Sequence, residues 1–274
     1  MLDPDVQGKL ERLRGFVRGL PGALVAFSGG ADSALVLAVA ALEQRERAVA
    51  LTVSSPSLPP RELDAARAFA AAQGVRHLVV EGRELEDPRY AANPADRCYY
   101  CKAELYALCE RAARELSLGA IVDGFNADDR RDVRPGQRAA QERGVVSPLA
   151  LAGLSKEEVR ACSRALGLST WDKPQAACLS SRLPTGTPVT VERLAAVGGA
   201  EEELAELGFR RFRVRHHGEV ARIELGADEL GRLADAALRE RLVEAIKRRG
   251  FRFVAVDLEP FESGRFARLV AQRV

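Results

Sequence analysis

"ALVAFSGGADSALVLAVAAL", residues 23–42, is the stretch on which the fold turns. Five apolar residues, Ala23 to Phe27, run into Gly29 and Gly30, and a second apolar run, Ala34 to Leu42, follows. Apolar runs of this length around a glycine pair read as a buried strand, a tight turn and a buried helix. The glycines let the backbone bend sharply and bare successive N–H groups, while Ser28, Asp32 and Ser33 offer oxygens to bond or to cap the helix. A turn of this kind at a helix N-terminus is a site for an anion. It is neither G-x-x-x-x-G-K-[ST] nor G-x-G-x-x-G. Taken alone, the hexapeptide reads equally well as a plain strand-to-helix turn with a capping serine.

The flanking sequence repeats the alternation. Residues 6–20 place Leu10, Leu13, Phe16 and Val17 at helical spacing, and "AVALTVSS" (48–55) is a second buried strand. The helix "RELDAARAFAAAQG" stops at Gly74, and "RHLVVEG" (76–82) is a third strand. Residues 83–101 read as a polar connection into a helix over 102–116, and "AIVDGFNADD" (120–129) supplies a fourth strand with its exit loop. "SKEEVRACSRALG" is a helix capped by Ser155 with Glu158 at the reciprocal position. Strands alternating with helices predict an α/β fold with a doubly wound parallel sheet.

After "STWDKPQAACLSSRLPTGTPVT" (169–190) the pattern changes. A helix over 190–207, two strands in "FRRFRVRHHGEVARIEL" turning at His217-Gly218, a helix over 227–249 and a strand "FRFVAVDL" predict a small α+β C-terminal domain. The expected domains are 1–184 and 185–274.

At 274 residues the chain can bury two cores. Its formal charge of +2 gives no general attraction to nucleic acid, and no nucleic-acid partner is expected. Of its 41 basic residues only five are lysine, which reads as compositional bias rather than selection for arginine chemistry. "MLDPDVQGKLERL" has early acids and no apolar core, so it reads as neither a signal nor a transit peptide. No apolar run nears the roughly 18 residues of a membrane span. A cytoplasmic protein without membrane association is expected. In a reducing compartment, Cys98, Cys101, Cys109, Cys162 and Cys178 suit metal or catalytic roles before disulfides.

The hexapeptide "SGGADS" resembles the pyrophosphate loop of the adenylating N-type ATP pyrophosphatases, the PP-loop superfamily with an adenine nucleotide α-hydrolase-like fold. That resemblance implies ATP bound through Ser28, Gly29, Gly30 and Ser33, with Asp32 helping to bind Mg²⁺. It implies attack on the α-phosphate with loss of pyrophosphate. It also puts Ser54 and Ser55 where adenine is cradled, and Asp123, Gly124 and Asp128 of "DGFNADD" near the nucleotide, Asp128 as a second Mg²⁺ donor.

"RCYYCK", "DGFNADD", "DKPQAACLSSRLPTG" and "RFRVRHHGEVARIEL", in that order, resemble the LarE family of ATP-dependent sulfur transferases over essentially the whole chain. The resemblance implies conversion of both carboxylates of pyridinium-3,5-biscarboxylic acid mononucleotide to thiocarboxylates, a step towards the nickel-pincer nucleotide. In one version of the family a single cysteine, in the region of Cys178, gives up its own sulfur. In another, a C-x-x-C pair joins it and three cysteines hold a [4Fe–4S] cluster; Cys98, Cys101 and Cys178 match that version. Zinc binding, a thioredoxin-like redox pair, and a sacrificial Cys178 supported by a dithiol stay open as readings of "RCYYCK". Cys109 and Cys162, within amphipathic helices, read as buried inert thiols.

The resemblance further assigns substrate contacts to Lys102, Ser181, Arg182, Arg213, Arg215 and Glu224. Arg213 and Arg215 alternate on one strand face and suit phosphate or carboxylate, though a solvated surface explains them as well. His216 and His217 read as a turn pair, and Trp171 as packing. The expected partner is a small-molecule nucleotide, and exposed strand edges of a small accessory domain suggest a homo-oligomer. Rival functions are a tRNA thiolase, an ATP-dependent amide synthetase and a nucleotide-sensing module. The first would want a basic surface or an RNA-binding module, the second an ammonia source.

Overall fold

The structure, a computed structural model, describes residues 2–131, 135–174 and 177–262. It divides into two compact units, Met1–Ala176 and Ala177–Val274. Residues 177–184, expected at the end of the first domain, group with the second unit.

The first unit runs α1 (Pro4–Arg18), β1 (Ala23–Ala26), α2 (Ala31–Gln44), β2 (Ala48–Ser54), α3 (Pro60–Ala72) and β3 (Arg76–Glu81). It continues through α4 (Pro88–Ala91), α5 (Arg97–Glu115), β4 (Ala120–Val122), α6 (Pro135–Glu142), α7 (Pro148–Ala152) and α8 (Lys156–Ala165). The four strands pair in parallel in the order β3-β2-β1-β4. Strand alternation divides β1 between two cores. Ala23, Val25 and Phe27 face a core shared with α1, α2, α3 and α8, while Leu24 and Ala26 face one built from α5 and α6. Helices on both faces explain why β1 is buried along its whole length. The chain leaves β1 for β2 and β3 on one side and returns to β4 on the other, so its direction of winding reverses between β1 and β4. A crevice at the carboxyl ends of strands opens at such a reversal, and ligands of open α/β sheets bind there.

The second unit consists of α9 (Val191–Glu206), β5 (Phe212–His217), β6 (Val220–Leu225), α10 (Ala236–Arg248) and β7 (Phe253–Val256). Its sheet has the order β5-β6-β7, antiparallel then parallel. Phe212, Val214, Ala221, Ile223 and Leu225 form its buried face. The opposite face carries Arg213 across from Glu224 and Arg215 across from Arg222. Residues 227–249, expected as one helix, divide at Asp235, whose side chain accepts from the Ala237 and Leu238 amides and starts α10 afresh. Helix α5 also begins earlier than expected, at Arg97 rather than 102, because its polar first turn hides the onset from apolar periodicity.

Candidate active site

The glycine turn lies where β1 hands over to α2. Gly29 has φ +72°, a left-handed conformation that disfavours a side chain, and an added Cβ would stand 3.2 Å from Ala66 Cβ of α3. Ser28 and Ser33 tie the loop across itself: their hydroxyl oxygens are 3.0 Å apart, and Ser33 Oγ donates to the Gly30 carbonyl at 3.2 Å. Gly30 caps α2 with extended backbone and no side-chain bond. The Ala31, Asp32 and Ser33 amides that open α2 have no partner among the described residues, as an anion site requires.

Across the crevice, the exit loop of β4 packs directly on this helix start. A Cβ on Gly124 would lie 2.6 Å from the Ser33 backbone nitrogen, so only glycine permits the approach. Asn126, fully buried, bridges the two loops, with its Nδ2 donating to Asp32 Oδ1 at 3.1 Å. Its Oδ1 accepts from the Asp128 and Asp129 amides. Burial raises the Asp32 pKa above the ordinary carboxylate value, opposed by the Asn126 bond and the charge of Lys156 and reinforced by Asp129. Asp32 Oδ2 has no partner among the described residues. A half-buried carboxylate with an open oxygen beside a second carboxylate is a hard-oxygen donor set that fits Mg²⁺.

Several expected site residues have other partners here. Asp123 accepts from Tyr106 Oη at 3.0 Å, Ser147 Oγ at 2.8 Å and the Phe125 amide at 3.1 Å, so its carboxylate shapes the exit loop of β4. Asp128, expected as a metal donor, commits Oδ2 to the Lys156 amide that opens α8, and Asp129 likewise commits Oδ2 to the Asn126 amide while its charge reaches Asp32. Ser54 offers its carbonyl to Gly82, while Ser55 and Ser57 donate to the buried Glu84. Glu84, Asn126 and Asp129 escaped the sequence reading, although "NADD" does carry the turn chemistry of Asn126. Lys173 escaped it too: its ammonium donates to the Gly29 carbonyl at 2.9 Å and pairs with Glu62 at 2.7 Å.

"RCYYCK" forms the first turns of α5, which puts Cys98 and Cys101 about one helical turn apart, the former exposed and the latter half-buried. Arg138 stacks over Tyr99 and Arg89 over Tyr100, which fixes the two tyrosines beside the thiols. Lys102 sits with Nζ 5.6 Å from the Tyr106 ring centre, and Tyr106 in turn bonds Asp123, so the cysteine helix is joined to the β4 loop. Cys109 and Cys162 are fully buried, and burial pushes their thiols up to about 12 and about 11. They stay protonated and unreactive at neutral pH. Within the first unit no third thiol gathers with the pair among the described residues.

In the second unit, half-buried Cys178 precedes the turn Leu179–Arg182. Arg182, 2% exposed, forms a two-bond fork with Glu201, also 2% exposed. Its remaining donor reaches the carbonyls of Ala177 and Cys178 and the Ser181 hydroxyl. Arg215 bonds the Ser181 carbonyl at 3.0 Å and pairs with Glu224, which Arg222 shares. Arg213 lies over the Phe261 ring. Arg182 thus shapes the turn that carries Cys178. Glu201→Ala strands that guanidinium in the interior, and a loss of about 3 kcal/mol is expected, read by urea unfolding of the second unit.

A family model described as queuosine biosynthesis protein QueC matches residues 22–92, which hold β1, the glycine turn, β2 and β3. The chain is 45% identical to an uncharacterized protein of Synechocystis sp. over 97% of its own length and all of that protein. It is 36% identical to the pyridinium-3,5-bisthiocarboxylic acid mononucleotide synthase of Lactiplantibacillus plantarum over 91% of its length and 90% of that protein. An uncharacterized protein of Methanocaldococcus jannaschii is 26% identical over 88% of the chain and 90% of that protein.

Proposed function

This chain belongs to the LarE family, that of the pyridinium-3,5-bisthiocarboxylic acid mononucleotide synthase, and from that premise we propose how its residues divide the work. It is an ATP-dependent sulfur transferase. The observation that carries the reading is the glycine turn at the β1/β4 reversal, with the amides of α2 open and Asp32 beside them.

A carboxylate is a poor electrophile because its charge is delocalised and oxide is no leaving group. One carboxylate oxygen of pyridinium-3,5-biscarboxylic acid mononucleotide attacks the α-phosphorus of ATP, and pyrophosphate departs with the electron pair of the broken P–O bond. A sulfur nucleophile then adds to the acyl carbon, and AMP leaves with that carboxylate oxygen. The second carboxylate follows the same course. The open amides of α2 receive the triphosphate, and Gly124 and Asn126 hold the two loops in register. Asp32, with the neighbouring pair Asp128 and Asp129, would hold Mg²⁺, which supplies charge neutralisation at the phosphates.

For sulfur, the accessible thiols of Cys98, Cys101 and Cys178 are the donor set, because Cys109 and Cys162 are buried and protonated. Three thiolates suit a [4Fe–4S] cluster with one iron left without a protein ligand, and such a cluster would supply transferable sulfide. Arg182 and Arg215 organise the Cys178 turn, and Arg213 beside them offers charge to the substrate's phosphate or carboxylates. No described helix is long and apolar enough to cross a membrane. The edge strand β7, with Phe253 uncovered, supports assembly into a homo-oligomer. The product pair tests the reading: AMP and pyrophosphate, formed only when the pyridinium dicarboxylate is present, support it, and ADP with phosphate rejects it.

A further inference from the structure

In the G-x-x-x-x-G-K-[ST] loop the cation that meets the phosphates is part of the loop itself. "SGGADS" contains no cation, and it carries an acid of its own, Asp32, while Glu62 of α3 approaches Gly29 through its carbonyl. A tetra-anionic nucleotide would enter a site of its own sign unless a cation came from elsewhere in the fold.

The structure assigns that part to Lys173: we infer that it sets the loop and contacts the β,γ-pyrophosphate, which rests on the ATP reading above and adds a residue to it. Its ammonium lies 2.9 Å from the Gly29 carbonyl and 2.7 Å from Glu62 Oε2. The Gly29 contact is a hydrogen bond, whereas the Glu62 contact is an ion pair in which Oε2 accepts no hydrogen bond, so the ammonium keeps N–H capacity for a ligand. The side chain is 19% exposed, so that capacity is within a ligand's reach. Its backbone is held in place as well. Arg160 donates to the Trp171 carbonyl at 3.3 Å and the Lys173 carbonyl at 2.9 Å, and Arg164 stacks over the Trp171 ring. Arg160 is thereby committed to the turn, and Lys156 lies against Asp129, which leaves Lys173 as the cation facing the glycine carbonyl. Glu62 keeps the ammonium at the mouth of the loop in the absence of nucleotide. Phosphate oxygens then accept from an uncommitted N–H without displacing the bond to the Gly29 carbonyl.

The test is titration calorimetry of Mg-ATP, Mg-pyrophosphate and AMP on the full chain, with wild type, Lys173→Met, Lys173→Arg and the double variant Lys173→Met/Glu62→Gln. Lys173→Met is expected to weaken ATP and pyrophosphate about tenfold or more, the size of one hydrogen bond to a charged group, and to leave AMP within about twofold. Arg at the position should recover most of the loss. The double variant should stay weak, because the missing contact is to phosphate. Equal weakening of ATP and AMP, or recovery in the double variant, would make Lys173 a loop brace only and overturn the inference. Unchanged pyrophosphate affinity in Lys173→Met would overturn it too. A wild type that binds neither ATP nor pyrophosphate would overturn the ATP reading itself, a distinct result. Should Lys173→Met fail to fold, the double variant, which strands no carboxylate, carries the same comparison.

Discussion

Asp32→Asn is expected to slow substrate-dependent pyrophosphate release by about a thousandfold while leaving the fold intact or slightly firmer. The rate loss follows from removing the charged donor to Mg²⁺, whose stabilisation of phosphate charge in the transition state is worth several kcal/mol. The stability side follows from burial. The Asp32 pKa is raised in the folded chain, so the ionised form is disfavoured there. A raised carboxylate pKa contributes stability that is fully present below the unfolded value and lost as pH rises through the raised folded value, so at neutral pH an uncharged isostere relieves a cost. Asn keeps the oxygen that accepts from Asn126. Steady-state pyrophosphate release and thermal unfolding without Mg²⁺, run on one preparation, read both effects. A variant that retained more than a tenth of wild-type rate would remove Asp32 from the metal site.

Cys98→Ala is expected to abolish thiocarboxylate formation beyond background, with pyrophosphate release retained. Activation and sulfur delivery use different residues: the first rests on the glycine turn and Asp32, the second on the thiols. The same variant should lose iron and acid-labile sulfide after anaerobic purification, as should Cys101→Ala and Cys178→Ala. The contrary pattern is equally informative. An iron-free wild type after anaerobic reconstitution, with a single turnover per chain that depends on Cys178 alone, would replace the cluster with a sacrificial cysteine and leave Cys98 and Cys101 as a supporting dithiol.

What was legible in the chain was local. The glycine turn, the apolar runs of β1 and β2, the capping box at Ser155 and the Gly74 stop are written in neighbouring residues, and each predicts its own geometry. Where local signals were polar, boundaries slipped: the first turn of α5 has no apolar stripe, and Asp235 breaks a run that looked continuous. The site was legible in its backbone and less so in its side chains. Lys173 reaches Gly29 across 144 residues of sequence, a contact no window can show. Asp123 looked like a ligand because it follows a strand in "DGFNADD", yet Tyr106 and Ser147 converge on it from other elements. Asp128 and Asp129 are indistinguishable as a dipeptide, and only the fold gives them different partners, the first amide of α8 for Asp128 and the Asn126 amide for Asp129. Arg182 carried the charge of a substrate contact, but Glu201 on α9 takes its fork into the interior.

The central claim is that the carboxylate attacks the α-phosphorus, and the fate of a carboxylate oxygen tests it most directly. Substrate labelled with ¹⁸O in its carboxylates, turned over with unlabelled ATP, is predicted to yield AMP carrying one ¹⁸O for each thiocarboxylate formed, read by mass spectrometry. Label found in inorganic phosphate, or AMP free of label while product accumulates, would contradict adenylation at the glycine turn.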